Sequence, residues 1–135
     1  MEFDSLLKDL KKLNLPKNEF AIFGSGPLAI RGIRDSRDLD IIVKPELWSN
    51  LAEKHKIEEF KVEPKKQFIK IGEIEIYPDW LPWLKDIDKL INTADFINGL
   101  PYVKLKYVIK WKEMFNREKD KKDIELIEKW LKSKK

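Results

Sequence analysis

The residues best suited to chemistry are two aspartates, Asp38 and Asp40, which are separated by one leucine in a chain of 135 residues. The run 38–43 has the apolar character of a buried strand. Side chains alternate between the faces of a strand, so both carboxylates are expected on one face, about 6.6–6.8 Å apart along it. Two acids presented together by a buried strand are electrostatically costly. Binding of Mg²⁺ or Mn²⁺ removes that cost, because carboxylate oxygens are hard ligands.

A glycine-rich turn precedes the two aspartates. The apolar run 20–23 reads as a strand that stops at Gly24-Ser25, and Pro27 then opens a short helix. Backbone N–H groups in such a turn bind anions, and the Ser25 hydroxyl adds a donor. Twelve residues separate this predicted phosphate site from the predicted metal site. A nucleoside triphosphate with its Mg²⁺ is the ligand that needs both.

Two other interpretations of these motifs were weighed. Isolated acids of this spacing are often exposed and salt-bridged, here to Arg34 or Arg37. The run 24–29 also fits the dinucleotide fingerprint G-x-G-x-x-G/A. The dinucleotide interpretation is rejected because Gly32 cuts the following helix short and the next strand begins with two acids. The chain is also too short for such a domain plus a catalytic partner.

The pattern F-G-S at Gly24 and Ser25, then twelve residues, then D-L-D-I from Asp38, resembles the signature of the DNA polymerase β-type nucleotidyltransferase superfamily. The longer run GSGPLAIRGIRDSRDLDIIV is similar to that of AbiEii-like small nucleotidyltransferases. The resemblance implies the nucleotidyltransferase fold and transfer of an NMP from an NTP to an acceptor hydroxyl, with release of pyrophosphate. It also implies that Asp38 and Asp40 bind two Mg²⁺ ions.

The superfamily places a third carboxylate between apolar residues on a later strand. Glu75, in the run I-E-I, matches this pattern best. Glu73 shares the expected face of Glu75 and is the alternative, and Asp79 matches less well. The role implied by the resemblance is metal binding, or activation of the acceptor hydroxyl as a general base.

A second, less specific resemblance lies near the C-terminus. Lys110, followed by R-E-K-D-K-K-D-I from Arg117, is similar to a basic block of AbiEii-type proteins whose basic residues lie near the nucleotide. The resemblance makes Lys110 and Lys119 candidate triphosphate contacts and Arg117 a lesser one. Asp120 and Asp123 are expected to cap and buttress the last helix.

The charge distribution bears on the partners. Residues 101–135 carry 12 basic and 6 acidic side chains, while the whole chain has a net charge of +4. A basic region suits phosphates or RNA, although a solvated lysine-rich helix gives the same pattern. Arg34 and Arg37 are further candidate nucleotide contacts, and together with Lys110 they are candidates for neutralising the charge that develops during transfer. The predicted partners are an NTP (ATP, CTP, GTP or UTP) and an acceptor, for which RNA is favoured over a protein or small molecule. A partner protein is the further candidate.

The order of elements predicts an α/β protein of the α+β type, with a small mixed sheet flanked by helices and two helices at the C-terminus. We expect one domain over 1–135, with the catalytic sheet over about 18–80 and a basic helical part over about 101–135. Short strands at 59–62, 67–71 and 74–77 are expected to be antiparallel neighbours.

Composition excludes several kinds of site. The chain has no cysteine, which rules out disulfides, cysteine-ligated zinc and cysteine nucleophiles, and its one histidine, His55, is expected at the surface. No signal peptide or stretch of about 18 apolar residues is visible, so a cytoplasmic protein is predicted. The second class of function considered is a non-catalytic nucleotide- or RNA-binding module, or an antitoxin-like partner protein, on the same fold.

Overall fold

The computed structural model describes residues 2–80 and 82–134. Within these residues, seven strands form one mixed sheet in the order β3-β4-β5-β2-β1-β7-β6. The strands are β1 Phe20–Phe23, β2 Leu39–Val43, β3 Glu58–Glu59, β4 Gln67–Ile71, β5 Ile74–Tyr77, β6 Asp95–Ile97 and β7 Leu100–Tyr102. The helices are α1 Glu2–Lys12, α2 Gly26–Ile30, α3 Pro45–Lys54, α4 Ile87–Asn92, α5 Leu105–Phe115 and α6 Glu118–Ser133.

Strand β2 lies at the centre of the sheet. It runs antiparallel to β1 and parallel to β5, while β1 is parallel to β7 on its other side. The antiparallel neighbours β4 and β6 extend the sheet outward from β5 and β7. This arrangement brings the end of β1, the beginning of β2 and the beginning of β5 to one edge of the sheet. The glycine turn and the acids of the sequence motifs all lie near that edge.

The first face of the sheet packs against α1 and α3. Ile22, Ile41 and Ile76 point to this side and are fully buried. Apolar residues recur at helical spacing in α1, which places Leu6 and Leu10 against these strands. This face is a closed apolar core and carries none of the predicted site residues.

The second face of the sheet packs against α4, α5 and α6. Its core includes Ile42 and Tyr77 from the strands, Val108 and Trp111 from α5, and Ile127 from α6. Stacked and edge-on aromatic contacts run through this core, as in the pair Trp80–Trp111, whose ring centroids are 5.4 Å apart. Beyond this core, towards the edge that carries the motifs, the second face becomes polar.

The mixed sheet with flanking helices confirms the coarse fold class, an α+β arrangement. The expected antiparallel pairing of the three short strands is confirmed, since β4 is antiparallel to both β3 and β5. Two details of the sequence-based prediction need correction. The strand expected at 59–62 is only Glu58–Glu59, because the chain turns away at residues 61–64. The β6–β7 hairpin was missed, although Asn98-Gly99 is a strong hairpin turn signal and both residues have positive φ.

None of the helices in the described part of the chain combines the length and the apolar character needed to cross a bilayer.

The Ile41→Ala substitution is expected to lower the free energy of unfolding by about 2–5 kcal/mol, because it leaves a cavity in the closed first face. Val62, which is 71% exposed, provides the matched control. Val62→Ala should change stability by less than about 0.5 kcal/mol. Urea denaturation measures both, and equal effects of the two substitutions would contradict the assigned core.

Candidate active site

Two of the predicted acids lie side by side on the second face. Asp40 in β2 is directly opposite Glu75 in β5, and on its other side it is directly opposite Phe23, the last residue of β1. Directly opposed residues share a face of the sheet, so the two carboxylates extend into the same region. The alternative acid Glu73 lies in the exposed turn between β4 and β5. Of the two glutamates, Glu75 is therefore the one beside Asp40.

Gly24 is shaped by its approach to Asp40. Its φ is +67°, and a Cβ built at this position would lie 2.9 Å from Oδ2 of Asp40. A side chain here would be strained by the backbone conformation and would also strike the carboxylate. The glycine of the G-S motif thus allows the turn after β1 to pass directly over the aspartate.

Asp38 lies just before β2 and is exposed. Its backbone is held by Ser36, whose hydroxyl donates to the Asp38 carbonyl at 2.9 Å and accepts from the Asp38 N–H at 3.3 Å. The Ser36 hydroxyl also shares a hydrogen bond with the Ser25 hydroxyl. These bonds join the turn after β1 to the segment that carries Asp38, so the two predicted motifs form one local structure.

The electrostatics of the site centre on Asp40. Burial raises the pKa of Asp40 to about 7, with further contributions from the negative charges of Glu75 and Asp38. No salt bridge reaches any of these three acids from the lysines and arginines within residues 2–80 and 82–134. Arg34, which sequence reasoning considered as a partner of the aspartates, is instead paired with Asp123. The three acids are therefore adjacent negative charges that no salt bridge within the described residues neutralises, although the charge of Arg34 attracts Asp38 without contact.

Glu75 is oriented by its own strand. The Tyr77 hydroxyl donates to Oε1 of Glu75 at 2.7 Å, across the two-residue repeat of β5. Tyr77 was missed by sequence reasoning, although its i, i+2 spacing from Glu75 places it on the same face. Asp79, the third candidate for this role, pairs with the buried Lys66. That pairing engages Asp79 in a different local structure.

The three acids have the chemistry that a divalent cation requires, but their side chains are not arranged as a formed metal site. They are hard oxygen donors with excess negative charge, which is what Mg²⁺ and Mn²⁺ require. However, in the described part of the chain no three His, Cys, Asp or Glu side chains already converge as a metal-binding group. The Glu75 carboxylate is turned to Tyr77, and rotation of side chains would be needed to bring the oxygens together.

A basic cleft of about 500 Å³ opens beside Asp38. Its walls are the Ser25 and Ser36 hydroxyls on one side and α5–α6 on the other. The basic residues that line it are Arg34, Arg37, Lys112, Arg117, Lys119 and Lys122. This volume is within the usual range for a small-molecule site, and the excess of cations favours an anionic ligand.

A buried ionic network forms the floor of the basic cleft. Asp123 of α6 accepts hydrogen bonds from Arg34 at 2.7 and 2.9 Å and from Lys112 at 2.9 Å. Burial raises the pKa of Asp123, but the hydrogen bonds from these two cations outweigh it and hold the pKa below its ordinary value. Asp120 caps α6 by accepting from the backbone and guanidinium of Arg117. The expected buttressing role of both aspartates thus agrees with their contacts.

The structure separates Lys110 from the other predicted nucleotide contacts. Lys119, Arg34 and Arg37 all line the basic cleft, but Lys110 lines a separate groove with Trp83 and with residues of α4 and α5. The lysine of α5 that reaches the basic cleft is Lys112, which the sequence resemblance did not single out. Lys110 lines another groove because residues two positions apart on a helix face different directions.

The Asp40→Asn substitution should stabilise the metal-free protein, and more so at higher pH. The folded protein holds the Asp40 proton up to about pH 7, whereas the unfolded chain releases it near the ordinary pKa of 3.8. Stability is therefore lost as pH rises between these values, in total on the order of 4 kcal/mol. In EDTA, the asparagine variant should match wild type near pH 4 and exceed it at pH 8 in chemical denaturation. A variant no more stable than wild type at pH 8 would contradict this account of the site.

Removal of the Asp123 carboxylate is expected to be costly. The Asp123→Ala substitution leaves Arg34 and the buried Lys112 without their shared partner, and should cost about 3–5 kcal/mol in denaturant unfolding. Glu125→Ala, at an exposed position of the same helix, should cost less than about 0.5 kcal/mol. Similar stabilities of the two variants would show that the ionic network does not hold the cleft together.

Comparison of the chain with models of known protein families, with curated proteins and with solved structures finds no match. The nucleotidyltransferase fold and activity implied by the G-S and D-L-D motifs therefore stay predictions. The functional features that the structure shows are adjacent carboxylates beneath a glycine turn and a basic cleft beside them.

Proposed function

We propose that this protein is a Mg²⁺-dependent nucleotidyltransferase that moves an NMP from an NTP to an acceptor hydroxyl. The observation that carries the proposal is the position of Asp40. It lies between Glu75 on one side and the Gly24 turn on the other, next to the basic cleft. Adjacent acids that no lysine or arginine of the described residues neutralises, with a basic cleft beside them, are what a metal-bound triphosphate would require.

Asp38, Asp40 and Glu75 would hold the metal. When bound, Mg²⁺ would neutralise charge on the phosphates and activate the attacking oxygen. Asp40 supports this role because its burial and acidic neighbours make a free negative charge unfavourable there. A cation at this position would lower the pKa of Asp40 and keep it ionised at neutral pH.

The basic cleft would hold the triphosphate. Ser25 offers a hydroxyl at one wall, while Lys119 and Lys122 lie on the opposite wall. Arg34 and Lys112 are already engaged by Asp123, so their contribution is mainly to fix the wall in place. Arg37 lines the same cleft and would help to neutralise charge as pyrophosphate leaves.

The reaction would be an in-line displacement at the α-phosphorus. The acceptor oxygen forms a bond to that phosphorus, and the bond from it to the oxygen of the β-phosphate breaks. Pyrophosphate carries away the electron pair, and the acceptor proton passes to Glu75 or to solvent. Because the leaving group lies on the cleft side of Asp40, the acceptor is expected on the Glu75 side.

A second function is favoured by one observation. The three acids do not converge as a ready metal group, and a protein that binds nucleotide or RNA without catalysis has no need of such a group. Such a module would bind an NTP in the basic cleft without requiring Mg²⁺. The two functions differ in whether the protein transfers the nucleoside monophosphate of a bound NTP to an acceptor.

The test is a transfer assay with each α-³²P-labelled NTP, Mg²⁺, and total RNA or cell lysate as the source of acceptor. Asp38→Asn and Asp40→Asn should reduce transfer by more than about 100-fold, because each removes a charge that the reaction centre needs. Melting curves should show that both variants remain folded.

Asp9→Asn is the matched control for this assay. Asp9 is exposed on α1, which packs against the opposite face of the sheet, so its variant should retain wild-type activity. Transfer that survives Asp40→Asn would remove the proposed role of the acids. Nucleotide binding by wild type without any transfer would favour the non-catalytic module.

A further inference from the structure

A further group of side chains lies on the second face of the sheet beyond Glu75, on the side away from Asp40. Lys70 of β4 is directly opposite Glu75, and Glu75 is directly opposite Asp40. Directly opposed residues share a face, so these three side chains form one row across the sheet. Lys70 is exposed, and it forms no ion pair with any residue in the described ranges. A cation without a partner therefore lies next to the third carboxylate.

Aromatic rings continue the same surface. Phe68 is two residues before Lys70 on β4, so it shares the face of Lys70. Its ring centroid is 5.7 Å from that of Phe60 and 5.8 Å from that of Tyr77. Phe60 and Phe68 pack against the second core but are not fully buried, so part of each residue remains exposed to solvent. Partly exposed aromatic rings beside a lysine are the combination that binds unpaired nucleotides, through base stacking and phosphate contact.

The direction of the reaction assigns this surface to the acceptor. In the proposed function the pyrophosphate leaves on the side of Ser25 and the basic cleft, beyond Asp40. An in-line attack must then come from the opposite side, which is the side of Glu75 and Lys70. This inference rests on the proposed function for its direction, but the surface itself is defined by the sheet register and the aromatic contacts.

We propose that Lys70, Phe68 and Phe60 form an acceptor surface for the unpaired 3′ end of a polynucleotide. A base stacks on the exposed part of the phenylalanine rings, a backbone phosphate pairs with Lys70, and the terminal hydroxyl lies towards Glu75. RNA and DNA share the chemistry that this surface recognises.

One acid limits the path of the strand. Glu58 of β3 is directly opposite Phe68 and exposed, so it lies on the same face at the outer edge of the sheet. The phosphate backbone should pass on the Lys70 side and avoid Glu58. Glu58→Gln is therefore expected to strengthen polynucleotide binding by about twofold to threefold, since it removes a like charge from the edge of the surface.

Equilibrium binding tests the inference without any need for transfer. The probes are 5′-fluorescein octamers with free 3′ hydroxyls, one set of RNA and one of DNA, measured by anisotropy with Mg²⁺ and a non-hydrolysable NTP. Phe68→Leu keeps an apolar side chain but removes the stacking ring, and should weaken binding about tenfold. Lys70→Gln should weaken binding. It should also make the decline of log K with log salt shallower, by about one in the slope.

Two control variants remove the same chemical groups elsewhere. Phe96→Leu acts on a phenylalanine that is 60% exposed on β6, at the far edge of the sheet, and Lys8→Gln acts on an exposed lysine of α1. Both should bind octamers as wild type does. Preferential binding of RNA or of DNA would identify which polynucleotide is the acceptor.

The inference is overturned if wild type binds neither octamer, or if the two control variants weaken binding as much as Phe68→Leu and Lys70→Gln do. Mg²⁺-dependent transfer to another acceptor, with both surface variants fully active, would also overturn it and leave the proposed function intact. Octamer binding that depends on Phe68 and Lys70, in a protein that transfers no label, would contradict the proposed function alone.

Discussion

The register of the sheet places two carboxylates side by side, and much of the remaining structure follows from that constraint. Asp40 and Glu75 are directly opposed on adjacent parallel strands, and no lysine or arginine within the described residues pairs with either. Burial and its acidic neighbours raise the pKa of Asp40 to about 7. A fold that only needed stability would be better served by an uncharged residue at this position. In the proposed function, a bound cation and its anionic ligand would offset the cost of the pair.

The surrounding elements keep this edge of the sheet open while fixing its borders. On one side, Gly24 lets the backbone cross close to Asp40, and the Ser25–Ser36 hydrogen bond joins the turn to the segment before β2. On the other side, Asp123 and its cations anchor α6 to that segment. The apolar cores reach this edge through Phe23, Leu39 and Ile74, which are buried beside the two acids. Asp40 and Glu75 are therefore bordered by packed apolar side chains as well as by the hydrogen bonds of the turn and of α6.

Local patterns were sufficient to predict the coarse fold, whereas Glu75 was chosen by the resemblance to nucleotidyltransferases and its position opposite Asp40 came from the structure. Alternation along β2 and the I-E-I run of β5 predicted buried strands, and Gly24 predicted the turn. The parallel β2–β5 contact and the row that extends to Lys70 were beyond these patterns, because both depend on the pairing of strands distant in sequence. The β6–β7 hairpin had a local signal in Asn98-Gly99 and was overlooked. The choice of Lys112 over Lys110 depended on how α5 is rotated against the sheet, which a charge pattern does not specify.

The central claim, that Asp40 and Glu75 jointly hold a divalent cation beside a bound triphosphate, is tested most directly by anomalous diffraction. Crystals of the wild-type protein grown with Mn²⁺ and a non-hydrolysable NTP would be measured at the manganese edge. The account predicts manganese at about 2.1–2.2 Å from oxygens of both carboxylates, with the phosphates extending into the basic cleft. Nucleotide bound in the crystal with manganese absent from these carboxylates, or held only by acids elsewhere, would contradict it.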